Sequence, residues 1–124
     1  MPLYGKTILV AEDDYLIAAD LFAAIEDGRG KVGQHVTTVR AAHEALSSSK
    51  FDGAVLDLKL LNGLAVGVAE RLHQKGIPFI LITGYEQEFV WDALRGVPYL
   101  AKPFRRDDFL KLAASHFDKA PRNS

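Results

Sequence analysis

A doubly wound α/β domain, with five parallel strands and helices on both faces, is the fold this sequence predicts. Three observations lead to it. Short apolar runs such as Ile8-Leu9-Val10-Ala11, Ala54-Val55-Leu56 and Phe79-Ile80-Leu81-Ile82 have the length and composition of strands buried on both faces. Between them, apolar residues recur at helical spacing. The two patterns alternate along the chain, which implies βαβ units with right-handed crossovers.

The elements follow in order. Lys6 to Ala11 is the first strand, and Tyr15 to Asp27 a helix carrying Ile17, Leu21, Ala24 and Ile25, with Gly28 at its stop. Val32 to Thr38 is rich in β-branched residues and is the expected second strand; Arg40 to Ser48 follows as a short helix that turns Ala42, Ala45 and Leu46 inward. Gly53 to Leu56 forms the third strand and ends at Asp57. Leu58 to Gly63 is a loop with Asn62-Gly63 as its turn signal. Leu64 to Gln74 returns to helical spacing, with Gly76 as the exit. Pro78 to Thr83 is the fourth strand, Gln87 to Leu94 a short helix, Val97 to Ala101 the fifth strand and Asp107 to Phe117 the last helix. The folded core is expected over about residues 5 to 118, with a flexible polar tail at 119 to 124.

At 124 residues and 48% hydrophobic content, the chain suits one domain with a proper core. The formal net charge of -1 and the scattered basic residues argue against nucleic acid as a partner, since that binding needs a positive surface. There is no cysteine, so disulfides and thiolate metal sites are excluded. The first apolar run is broken by Glu12 after a few residues, so no signal peptide or membrane span is read. The expected location is the cytoplasm.

Chemistry concentrates at the strand ends. Glu12-Asp13-Asp14 directly follow the first strand, Asp57 ends the third, and Lys102, followed by Pro103, ends the fifth. In an open parallel sheet these ends share one edge, where ligands bind. One carboxylate at a helix start is a cap; three in a row exceed that need. Two such charges about 4 Å apart repel by roughly 4 kcal/mol at an effective dielectric near 20. A divalent cation removes the penalty, and Mg²⁺ suits because it takes oxygen ligands and keeps several waters. Carboxylates beside one ammonium therefore suit a hard cation and a phosphoryl group.

Other motifs carry less. Gly28-Arg29-Gly30-Lys31-Val32-Gly33 matches G-x-G-x-x-G, but a helix precedes it and a strand follows, the reverse of a nucleotide-binding turn. It is a helix-to-strand loop. His35, His43, His73 and His116 show no ligand spacing and take no role. Ser47-Ser48-Ser49 lacks nucleophile-elbow glycines and is a helix terminus.

Val10-Ala11-Glu12-Asp13-Asp14, Val55-Leu56-Asp57, Ile82-Thr83 and Tyr99-Leu100-Ala101-Lys102-Pro103-Phe104 together resemble the receiver domain of bacterial two-component response regulators. The resemblance spans nearly the whole chain and implies a flavodoxin-like, CheY-like fold. It also implies that Asp57 is the phospho-acceptor. Asp13, Asp57 and the backbone carbonyl of Lys59 would hold Mg²⁺, with Glu12 mostly through water. Lys102 would pair with the phosphoryl oxygens, with Lys102-Pro103 as a cis peptide aiming the ammonium inward. Thr83 and Tyr99 would be the switch pair, moved by the roughly -1.5 to -2 charge of a phosphoryl group.

The chain departs from the common receiver pattern in several places. Leu61 stands where most receivers have proline, and Gly84-Tyr85 follow Thr83 where most have alanine. Pro78 to Tyr85 resembles the signature of the FAT-GUY subclass of single-domain receivers, which implies donors of the HWE or related histidine-kinase class, or a histidine phosphotransfer protein. The interval from Thr83 to Lys102 is short, which implies an abbreviated fourth helix. Lys59, two residues past the acceptor, is unusual and is expected to slow dephosphorylation. The expected function is a stand-alone phospho-accepting switch that signals through protein partners or phosphorelay and catalyses only its own phosphorylation and dephosphorylation. Rivals are a degenerate receiver used as a binding scaffold and a Mg²⁺-dependent aspartyl-phosphate phosphohydrolase. The latter would place its nucleophile in an Asp-x-Asp arrangement after the first strand, where Glu12 and Asp13 are adjacent instead.

Overall fold

A computed structural model describes residues 2–61, 63–84, 94 and 96–117. Along the chain run β1 (Thr7–Ala11), α1 (Tyr15–Asp27), β2 (Lys31–Val36), α2 (Val39–Ser48), β3 (Gly53–Asp57), β4 (Lys59–Leu60), β5 (Gly63–Leu64), α3 (Val66–Lys75), β6 (Phe79–Thr83), β7 (Tyr99–Ala101) and α4 (Arg106–Phe117). Five strands form one sheet in the order β2-β1-β3-β6-β7, every neighbouring pair parallel. Among the described residues no helix is long and apolar enough to cross a membrane.

β3 and β6 are buried throughout, and β1 beyond Thr7, because each face of the sheet has its own core. Ile8, Val10, Val55, Ile80 and Ile82 pack under α1 and α4, against Leu21, Ile25, Phe109 and Phe117. Leu9, Leu56, Phe79 and Leu81 point the other way, toward Ala42 and Leu46 of α2 and Val68 and Leu72 of α3. Successive residues of a strand face opposite sides, so burial on both faces removes any polar alternation. On the second face Arg71 of α3 donates to the His43 carbonyl at 2.9 Å and to Ser47 Oγ at 2.6 Å, tying α3 to α2.

Several expectations need correction. The second strand stops at Val36, and Thr38 instead caps α2, its hydroxyl accepting from the Ala41 N–H at 3.0 Å. Side-chain bonding to the backbone makes threonine a good cap despite its strand preference. The segment expected as a loop after Asp57 contains a small antiparallel hairpin of β4 and β5, and Leu64 belongs to it rather than to α3. Buried Leu58 and Leu60 anchor this hairpin in the core. β7 is shorter than expected and only partly covered. The expected helix from Gln87 lies outside the described residues apart from its last position, buried Leu94, and so does the polar tail.

The discarded glycine motif has a packing reason. Leu3, ahead of the expected first strand, is fully buried, and its N–H donates to the Gly28 carbonyl at 2.8 Å. A Cβ on Gly30 would stand 2.9 Å from Leu3 Cβ. Gly33 is skipped in the β1–β2 register, and a Cβ there would stand 2.5 Å from Thr7 Cγ2. Gly30 makes room for Leu3 and Ile25, and Gly33 for the side chains of Thr7 and Phe51.

The start of α1 separates the three consecutive acids. Asp14 is the N-cap, its Oδ1 accepting from the N–H groups of Leu16 at 2.9 Å and Ile17 at 3.2 Å. The helix therefore uses one carboxylate and leaves Glu12 and Asp13 to the sheet edge. Asp14→Ala is expected to lower stability by about 1 kcal/mol, read from urea unfolding; an unchanged midpoint would contradict the capping role.

Candidate functional site

The chain leaves β1 toward β2 on one side of the sheet, while β3 lies on the other side. This reversal opens a crevice at the carboxyl ends of the strands. Glu12 and Asp13 enter it just past β1, Asp57 from the last position of β3, and Lys102 just past β7, while Thr83 occupies the last position of β6. Residues distant in sequence thus meet because their strands are adjacent and parallel.

Lys102 joins the carboxylates. Its Nζ donates to Asp57 Oδ2 at 2.8 Å and to Glu12 Oε2 at 3.3 Å. It also lies 3.2 Å from Glu12 Oε1, out of line for a hydrogen bond, so that oxygen is buried without one. The lysine backbone is tethered to the neighbouring strand, its N–H donating to the Thr83 carbonyl at 2.9 Å; the Lys102-Pro103 bond is cis, as expected. Asp57 Oδ1 accepts from the Lys59 N–H at 3.1 Å, and Glu12 Oε2 from the Asp14 N–H at 3.0 Å.

The crevice is a costly place for charge. Glu12 is 1% exposed and Asp57 5%. Burial, the largest influence, pushes the Glu12 carboxyl up to about 7; the Asp14 N–H opposes this and the neighbouring Asp57 adds to it. Burial disfavours the Lys102 ammonium too, but its bond and charge contact with Asp57, together with Glu12, outweigh this and hold its pKa above the ordinary lysine value.

Glu12, Asp13 and Asp57 can each place one carboxylate oxygen within 4.8 Å of the others. With an unbonded oxygen of Glu12 among them, they offer the all-oxygen donor set of a divalent-cation site. Beside Lys102 a cavity of about 310 Å³ opens between Ile17 and Asp20 of α1 and the Pro103-Phe104 segment.

The remaining residues singled out from the sequence fall around this centre. Thr83 is buried, Tyr99 half-buried, and Gly84 and the Lys59 side chain are exposed. Leu61 stands out into solvent, 69% exposed, although its N–H reaches the Thr37 carbonyl. Tyr85 lies outside the described residues. Sequence reasoning passed over His35, whose Nε2 lies 2.8 Å from the Glu12 carbonyl oxygen. No spacing rule could find it, because the contact depends on the β1–β2 register.

Comparison with known proteins agrees with this fold. No family model matches the chain. It is 32% identical over 108 residues to the response regulator protein PmrA of Pseudomonas aeruginosa, covering 82% of this chain and 48% of that protein. The chain thus spans about half the length of the curated relatives it matches. Among solved structures, SdrG from Sphingomonas melonis Fr1 is 35% identical, with a TM-score of 0.79 over 92% of this chain and 97% of that one. The receiver (REC) domain of the PhyR response regulator from Erythrobacter litoralis superposes with a TM-score of 0.86 over 98% of this chain and 96% of that one; at 20% identity that likeness concerns the fold. The chain has the receiver-domain fold and is a distant relative of the response regulators.

Proposed function

We propose that this chain is a receiver that takes a phosphoryl group onto Asp57 and signals by the repacking that follows. The observation carrying this reading is Lys102 Nζ at 2.8 Å from Asp57, beside three carboxylates that converge within 4.8 Å. An Asp57 oxygen attacks the phosphorus of a phosphohistidine; the P–O bond forms as the P–N bond breaks, and the departing imidazole takes up a proton. Lys102 exchanges its carboxylate oxygen for a phosphoryl oxygen, so the positive charge follows the new negative charge. Asp13, Asp57 and the Lys59 carbonyl would hold Mg²⁺, with Glu12 acting through water. When bound, the ion neutralises charge between these carboxylates and the incoming phosphoryl oxygens.

The phosphoryl group adds about -1.5 to -2 charge at the crevice. Thr83 turns its hydroxyl to that charge and Tyr99 moves in behind it; Gly84 and Tyr85, next in the sequence after Thr83, belong to the same proposed switch. The donor in this reading is a histidine kinase of the HWE or related class, or a histidine phosphotransfer protein, which the chain would meet in the cytoplasm. Support for that choice, and for the FAT-GUY subclass, comes from the run Pro78 to Tyr85. Repacking is then read by a protein partner or passed on by phosphorelay.

The proposal has a direct test. Incubation with Mg²⁺ and a small acyl-phosphate donor is expected to add one phosphate to the wild type by intact mass and none to Asp57→Asn. Absence from both would favour a phosphorylation-independent scaffold.

A second expectation concerns pH. Folding raises the Glu12 carboxyl from the ordinary 4.5 to about 7, so between those values the folded chain keeps a proton that the unfolded chain has lost. Stability of the metal-free protein therefore falls as pH rises across that interval. Mg²⁺ takes the place of the proton, so its stabilising effect grows over the same interval. Unfolding of wild type and Glu12→Gln at pH 5 and pH 7.5, with and without Mg²⁺, checks this; an equal Mg²⁺ effect at both pH values contradicts it.

The third concerns Lys59. A side-chain contact with the phosphoryl group worth about 1.4 kcal/mol corresponds to roughly tenfold in rate, so Lys59→Ala is expected to lose phosphate about that much faster. Equal decay of the two phosphoproteins would remove Lys59 from the mechanism.

A further inference from the structure

Glu12 and Asp13 lie beyond the last residue of β1, yet their backbone is not loose. The Glu12 N–H donates to the Val36 carbonyl at 3.0 Å, continuing the pattern of the ladder by one residue. The Glu12 carbonyl receives a side chain instead: His35 Nε2 at 2.8 Å. A carbonyl oxygen only accepts, so Nε2 must carry the proton. The ring is itself held by two aromatic neighbours on α1. Tyr15 stands edge-on at 5.9 Å between centroids and 85° between planes, and Phe22 at 5.1 Å and 78°.

The carbonyl that His35 holds belongs to the peptide joining Glu12 to Asp13. Rotating that peptide would swing both the direction of the Asp13 side chain and the start of α1. We propose that His35 is a positioning residue for the cation site, fixing the Glu12–Asp13 peptide so that the two carboxylates and Asp57 converge before any ion arrives. The role rests on the receiver reading of the site. It belongs to this chain's own β2 and not to the ligand set, since the imidazole touches a backbone oxygen and points no donor into the crevice. Hydrogen bonds of this outer kind orient ligands, and their loss typically weakens metal binding by about tenfold or more.

Three proteins test it by calorimetric Mg²⁺ titration at pH 8: wild type, His35→Phe and His35→Gln. Phenylalanine keeps a ring against Tyr15 and Phe22 but loses the donor; glutamine keeps a donor at a similar reach. Expected is a loss of about tenfold in Mg²⁺ affinity for His35→Phe, with His35→Gln closer to wild type. Equal affinity in wild type and His35→Phe overturns the proposal, as does His35→Gln binding no better than His35→Phe. A wild type that binds no Mg²⁺ overturns the cation site itself, a separate and visible failure. Nitrogen shifts of the His35 ring in metal-free wild type supply a readout that does not depend on how the variants fold. A proton on Nε2 is expected, and one on Nδ1 alone overturns the hydrogen bond.

Discussion

Three carboxylates, two buried and one half-buried, share a crevice with one ammonium, and this imbalance of charge governs the site. Asp57 and Glu12 are nearly inaccessible, and Lys102 cannot satisfy every oxygen they present. Water would ordinarily dilute such repulsion, but around Glu12 and Asp57 buried residues such as Val10, Ala11, Leu56 and Ile82 limit its access. In the proposed reading the remaining negative charge is reduced by a proton at Glu12 or by a cation, which would couple acidity and metal at a single residue.

The rest of the edge serves to keep that arrangement from relaxing. Strand adjacency brings Asp57 beside the end of β1, and the Lys102 backbone is tethered to Thr83. Asp57 is therefore linked by way of Lys102 to the end of β6, where the proposed switch residue sits. On the other flank, hydrogen bonds from β2 and the cap by Asp14 fix the turn that carries Glu12 and Asp13. Asp57 is held between two braces, one on each side of the crevice.

Much of this was legible in the sequence, for a reason visible in particular residues. Runs such as Ala54-Val55-Leu56 have no polar alternation because both faces are covered, and α1 matches its expected limits because Asp14 and Gly28 mark its two ends. Elsewhere the limits were set by contacts between elements, which a linear pattern does not contain. Thr38 looked like strand by composition and became a cap by hydrogen bonding. The β4–β5 hairpin has too few residues for any period to show, and is held by buried Leu58 and Leu60. The charged residues of the site could be named from their places at strand ends, whereas His35, whose partner is a backbone oxygen on the neighbouring strand, could not.

Leu3 has a practical consequence. Its burial beneath Gly28 and Gly30 fixes the start of the fold at the amino-terminal edge of the sheet, where α1 ends and β2 begins. A five-residue strand spans about 17 Å, so that distance separates this corner from the charged rim. An affinity handle or fluorescent dye joined ahead of Leu3 would therefore emerge on the far side of the molecule from the charged rim, leaving that rim open to observation.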